Sequence, residues 1–275
     1  MAGPQDPGKI ARRGLERLQE HVLNAAPILC EIDDFDLAGF CATAAAFGFE
    51  RYAYVVTPNV DHLIRYCDEP SFRALYHAAD YVVLDSRVVA LAVRLLRGQR
   101  LRVCPGSDLT AELLGRVAAR ADRVVLIGGS ASQARQIGAL YGLTNMEHHC
   151  PPMGFISDPQ ATESCLRFIE ERSPFRFCFL AVGSPQQETI AQLLQSRGRA
   201  RGLALCVGAS LNFITGAERR APHWMQQLAL EWLHRLAMDP RRLARRYLVR
   251  GPRIFEQLLR GRLMLQARCP PALPV

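Results

Sequence analysis

Asp85 stands directly after the apolar run Tyr81 to Leu84. Two roles fit a carboxylate there. At a reference pKa of about 3.9 it would be ionised and could act as a general base facing a cleft. It could equally be the N-cap of a helix beginning at Arg87, and the sequence does not separate the two. Thr57 and Asn59 flank Pro58 after the run that begins at Tyr52, and they read either as a turn or as polar contacts to a bound sugar or nucleotide. Gly183-Ser184-Pro185-Gln186-Gln187-Glu188 and Gly208-Ala209-Ser210 follow two further apolar runs.

Other clusters suggest less. Gly128-Gly129-Ser130 resembles a phosphate-cradling turn at a helix N-terminus. It is not G-x-G-x-x-G and has no acidic residue where a ribose would need one, so a plain tight turn explains it as well. His148-His149-Cys150 could suggest a metal, but adjacent residues on a strand point to opposite faces and no second cluster lies at zinc spacing. A structural role is expected. No G-x-S-x-G elbow, P-loop or H-E-x-x-H occurs.

The elements that must position these residues alternate. Candidate strands are Tyr52 to Thr57, Tyr81 to Leu84, Arg123 to Ile127, Arg176 to Val182 and Leu203 to Val207, with a weaker one at Ile28 to Ile32. Amphipathic stretches lie between them at Val60 to Ala79, Arg87 to Arg97, Asp108 to Ala121, Ser132 to Tyr141, Gln160 to Arg172 and Gln186 to Arg197. Continuous apolar strands alternating with helices predict an α/β fold, a Rossmann-like parallel sheet with helices on both faces. Ligands of such sheets sit beyond the carboxyl ends of the strands, where Thr57, Asp85, Gly183 and Gly208 fall.

From about Pro222 no strand signal is read, and the chain becomes helical and Arg-rich. Asp239-Pro240 fits an N-cap with Pro at the first helical position, and Gly251-Pro252 a junction between helices. The expected organisation is a polar leader (1–27), a catalytic domain (28–222) and a C-terminal helical appendage (223–275). Arg235 to Arg262 holds nine Arg against Asp239 and Glu256, a local +7 of the net +8. Such a cluster predicts one polyanionic contact surface. Beyond Gly251-Pro252, Ile254, Phe255, Leu258, Leu259 and Leu265 fall on one side of a helical wheel, as in a helix lying on an anionic membrane surface. A helix packed on its own domain has the same pattern. On the membrane reading, a chain ending near Ala221 would stay folded.

The 275 residues are 49% apolar and 22% charged, ordinary for a globular protein. Nine scattered Cys without a C-x-x-C pair read as reduced, buried thiols. No uncharged run reaches the roughly 18 residues of a spanning helix. The expected location is cytoplasmic.

The C-terminal half is the most specific. VGSPQQE (182–188), VGASLNFITGAERRAP (207–222) and LEWLHRLAMDPRRLARRYL (230–248) occur in the order of hallmark segments of the WecG/TagA/CpsF family of bacterial glycosyltransferases. TPNVDHL, the strand ending in Asp85, and GSDL (106–109) also resemble that family. The resemblance implies an inverting, metal-independent transfer of a sugar from a UDP-sugar to a polyprenyl-diphosphate-linked saccharide, at the inner face of the plasma membrane. It implies that Asp85 is the general base and that Thr57, Asn59 and Gln187 line the pocket. Gly183 and Gly208 join the substrate-binding set, and Arg235, Arg242 and Arg245 are implied to close over the site and neutralise diphosphate. No cofactor is expected, and no metal-binding D-x-D pair is read in the chain. Ser86, Val103, Gln186 and Asn212 differ from the usual family residues, which bears on donor specificity more than on reaction class. Arg102 lies one place from the Arg expected at 103.

Two other classes fit the elements less well. A nucleotide-cofactor oxidoreductase or methyltransferase rests only on the alternating pattern and Gly128-Gly129. A non-catalytic polyanion binder leaves the polar residues after the strands without a role, and the tail lacks interleaved aromatics for nucleic acid. The sequence leaves a homo-oligomer open.

Overall fold

A computed structural model describes residues 26–269; nearly all of the leader lies outside them. The strand β1 (Ile28–Asp33) stands apart from the main sheet. That sheet is formed by β2 (Tyr52–Val56), β3 (Tyr81–Val82), β4 (Val124–Ile127), β5 (Met146–His149), β6 (Phe177–Leu180) and β7 (Gly202–Cys206). Every pairing is parallel, in the order β3-β2-β7-β6-β4-β5. The helices are α1 (Leu37–Ala46), α2 (Val60–Asp68), α3 (Pro70–His77), α4 (Arg87–Arg97), α5 (Gly106–Glu112), α6 (Ala131–Tyr141), α7 (Pro159–Glu170), α8 (Gln186–Arg197) and α9 (Ser210–Ile214).

Alternation along the strands divides the core in two. Tyr54, Val56, Ile127, Leu180 and Cys206 face one cluster, which α2, α3, α4, α7 and α8 cover. Ala53, Val55, Leu126, Phe179 and Leu205 face the other, covered by α1, α5, α6 and α9. Burial on both faces is why these strands are apolar without interruption. The Val60 to Ala79 stretch is two helices: Glu69 takes extended angles (φ −120°, ψ 103°) before Pro70, which opens α3, because proline disfavours helical angles in the residue before it.

The C-terminal segment departs from the all-helical expectation. It runs α10 (His223–Gln227), α11 (Glu231–Met238), α12 (Pro240–Ala244), a π-helical turn (Arg245–Arg250), α13 (Arg253–Leu259) and then a strand, β8 (Leu263–Arg268). β8 pairs in parallel with β1, Ile28 opposite Leu263 through Asp33 opposite Arg268. The proposed interfacial helix is corrected in part: Ile254, Leu258 and Leu265 are buried in the main core, while Phe255 and Leu259 are exposed. Packing on the domain won at three positions because β1 and β8 extend the core beneath α13. Removing everything after Ala221 would uncover that surface, so the expectation of a folded short chain is withdrawn.

Candidate active site

The loops after β2, β3, β6 and β7 converge on a cavity of about 340 Å³ at the carboxyl edge of the sheet. This is where strand order changes direction, and where ligands of open α/β sheets lie. α10, α11 and the π-helical turn close the far side. Thr57, Asn59, Asp85, Gln187, Gly183, Gly208 and Arg235 all line it.

Asp85 is positioned from several directions. Its backbone N–H donates to Pro58 O (3.0 Å), fixing β3's exit beside that of β2. Its carboxylate accepts from Gly106 N–H at 2.8 Å. A Cβ at Gly106 would lie 3.3 Å from Thr57 Oγ1, so a larger residue there would push that hydroxyl aside by a few tenths of an ångström. Asp85 is not the helix cap: Ser86 Oγ accepts from Val89 N–H and caps α4. Nor does it keep an ordinary carboxylate pKa. Burial pushes it up to about 7, opposed by the Gly106 hydrogen bond and Arg235, and reinforced by Glu231 and Asp108. The expectation of a fully ionised base is thereby corrected to a group poised near neutrality, as suits proton transfer.

Thr57 Oγ1 donates to Cys206 O (3.0 Å), tying β2 to β7. Asn59 Oδ1 accepts from Asp61 and His62 N–H, so the residue caps α2 while lining the cavity. Gln187, almost fully buried, accepts from Gly208 N–H at 2.9 Å and donates to Glu188 Oε1 at 3.0 Å. Its amide therefore locks the start of α8 to the loop after β7. Gly208 takes φ +54°, the left-handed region open to glycine.

The three appendage arginines separate. Arg235 lines the cavity, lies 5.1 Å over the Phe213 ring and donates to Glu218 Oε2 at 3.4 Å. Arg242 lies outside the lining, held by Asp239 at 2.6 Å and by Glu218 at 3.7 Å. Arg245 is exposed and also outside it. The helix breaks at Asp239 (φ −142°, ψ 71°), which caps α12. The π-helical turn then adds a residue per turn and rotates the face. Arg246 lines the cavity instead, paired with Asp61 at 3.8 Å.

Sequence reasoning also passed over Glu231, Trp232 and Tyr247, which line the cavity. The only available signal was their presence in the 230–248 segment. Arg102 does not stand in at the cavity; it pairs with Asp34 and Asp36 at 3.7 and 3.9 Å. Those two aspartates have D-x-D spacing, which the sequence reading overlooked. They lie outside the cavity lining, and Asp36 caps α1. Gly128-Gly129-Ser130 is closed by a capping box between Ser130 and Gln133 and is absent from the lining. His148 bonds Gly128 O at 3.1 Å and His149 stacks on Phe168, while no cluster able to hold a metal occurs among the described residues.

A family model, the Glycosyl transferase WecG/TagA/CpsF family, matches residues 27–268 of the chain. The chain belongs to that family and is a glycosyltransferase of polysaccharide synthesis.

Proposed function

We propose that this cavity transfers a sugar from a UDP-sugar to a polyprenyl-diphosphate-linked saccharide, with inversion and without a metal. The carrying observation is Asp85, a carboxylate poised near neutrality at the meeting point of the strand exits, across from cavity-lining Arg235 and Arg246. In its ionised form Asp85 accepts the proton of an acceptor hydroxyl. The freed oxygen attacks the anomeric carbon as the bond to UDP breaks on the opposite face, so one displacement inverts the centre. The negative charge gathering on UDP is met by Arg235, Arg246 and the N-termini of α2, α4 and α8, whose first-turn residues Val60, Arg87 and Gln187 line the cavity.

Exposed apolar and arginine side chains along the appendage support a lipid-linked acceptor. Leu228, Met238, Val249 and Leu259 are each more than half exposed, among exposed Arg241, Arg245, Arg250 and Arg260. Apolar side chains entering the acyl boundary beside arginines on anionic headgroups is the chemistry of peripheral attachment. No helix among the described residues is long and apolar enough to cross a membrane. A transfer assay pairing a panel of UDP-sugars with lipid-diphosphate mono- to trisaccharides tests the proposal. Product from at least one pair is expected, and no product from any pair would overturn it.

A further inference from the structure

The two sides of the cavity differ chemically. The sheet side presents hydroxyls, amides, backbone N–H groups and Asp85, whereas the appendage side presents Glu231 and the rings of Trp232 and Tyr247 beside Arg235 and Arg246. The ring centroids are 6.2 Å apart with planes at 59°, so they make a corner. Arg246, anchored to Asp61, lies 5.8 Å from the Tyr247 ring centroid and backs that ring. All three residues are half-buried. Among the described residues, the Glu231 carboxylate, Trp232 Nε1 and the Tyr247 hydroxyl make no hydrogen bond or ion pair, and none is sealed from solvent.

A carboxylate that makes no direct ion pair, beside aromatic rings, is what a pyranose satisfies. Its hydroxyls donate to the carboxylate while its apolar C–H face packs on ring carbons. Uracil also stacks on such rings, so UDP affinity distinguishes a wall that holds the donor from one that holds the acceptor. Glu231 and Asp85 line the same cavity from opposite sides, so a ligand on this wall faces the group that takes the acceptor's proton. We infer that Glu231, Trp232 and Tyr247 form the subsite for the terminal sugar of the acceptor, presenting its hydroxyl to Asp85. This inference rests on reading the cavity as the transfer site.

Binding alone tests it, with no turnover needed. The full chain is titrated calorimetrically with UDP, with a short alkyl diphosphate, and with that alkyl diphosphate carrying one to three sugars. Trp232→Ala and Glu231→Gln should each weaken binding of at least one saccharide by about 10-fold, leaving UDP and the bare alkyl diphosphate unchanged. Trp232→Phe, which keeps a ring, should restore most of the loss. If Trp232→Ala fails to fold by circular dichroism, Glu231→Gln carries the comparison. Saccharide binding equal to wild type, or a loss of UDP affinity in these variants, would overturn the subsite. Wild-type binding of UDP but of no saccharide would overturn it while sparing the donor reading, and binding of neither would remove the transfer reading itself.

Discussion

Asp33 and Arg268, 235 residues apart, form a two-pronged ion pair, with Nε 2.6 Å from Oδ1 and one terminal guanidinium nitrogen 3.0 Å from Oδ2. Asp33 is fully buried, and its Oδ2 also accepts from Val82 N–H at 2.7 Å. The pair thus ties β1 and β8 to the end of β3, a few residues before Asp85. Arg268→Ala leaves a buried carboxylate without its cation, which costs about 3 kcal/mol. Urea unfolding should register that loss, and a midpoint equal to wild type would contradict the clamp. A chain ending before Leu263 should be more destabilised still, since it also uncovers Ile254 and Leu258.

Asp85→Asn keeps an oxygen to accept from Gly106 N–H but cannot take a proton. Turnover should fall by roughly 10² to 10⁴ with folding retained. In the wild type, kcat/KM should climb with pH on a limb centred at about 7, where the carboxyl ionises. Near-wild-type turnover in the variant would end the assignment.

The same pKa has a consequence for stability. Between the ordinary value of 3.8 and the native value of about 7, the unfolded chain has lost a proton that the native chain keeps. The Asp85 contribution therefore favours the fold at low pH, declines as pH rises through that window and is flat above it. Asp85→Asn should gain stability relative to wild type across the window. Denaturant midpoints at both ends would check the sign, and a gain that shrank with rising pH would refute it.

Arg235 and Arg246 line the cavity while Arg242 and Arg245 do not. Arg235→Ala and Arg246→Ala should each weaken UDP binding by about 10-fold, as expected for a lost charge-assisted contact of roughly 1.5 kcal/mol. Arg245→Ala should leave UDP affinity intact and weaken adhesion to anionic vesicles, an effect that high salt also produces. Equal loss of UDP affinity in all of these variants would mean that the appendage moves to bring every arginine inward.

Because arginines can neutralise the leaving diphosphate, and Asp34 and Asp36 are engaged with Arg102, transfer should persist in EDTA. Activity lost on chelation and restored by Mg²⁺ or Mn²⁺ would show that a metal shares the task.

What the sequence determined by itself was the sheet, apart from its edge strand β5, and its functional edge. Runs such as Phe177 to Leu180, short, bounded by turn residues and alternating with amphipathic stretches, read as strands buried on both faces, and the polar residues that follow them then lie at the carboxyl ends. Thr57, Asp85, Gly183 and Gly208 were legible for that local reason. β8 was not legible, because Leu263 to Arg268 is a short alternating segment whose partner, β1, lies at the other end of the chain. Arg246 could not be told from Arg245, since a single π-helical turn decides which of two neighbours faces inward. The poise of Asp85 was also out of reach. It depends on burial under the appendage and on Glu231, Asp108 and Arg235, and only the folded chain brings these charges within range of one another, where a low local dielectric lets them act.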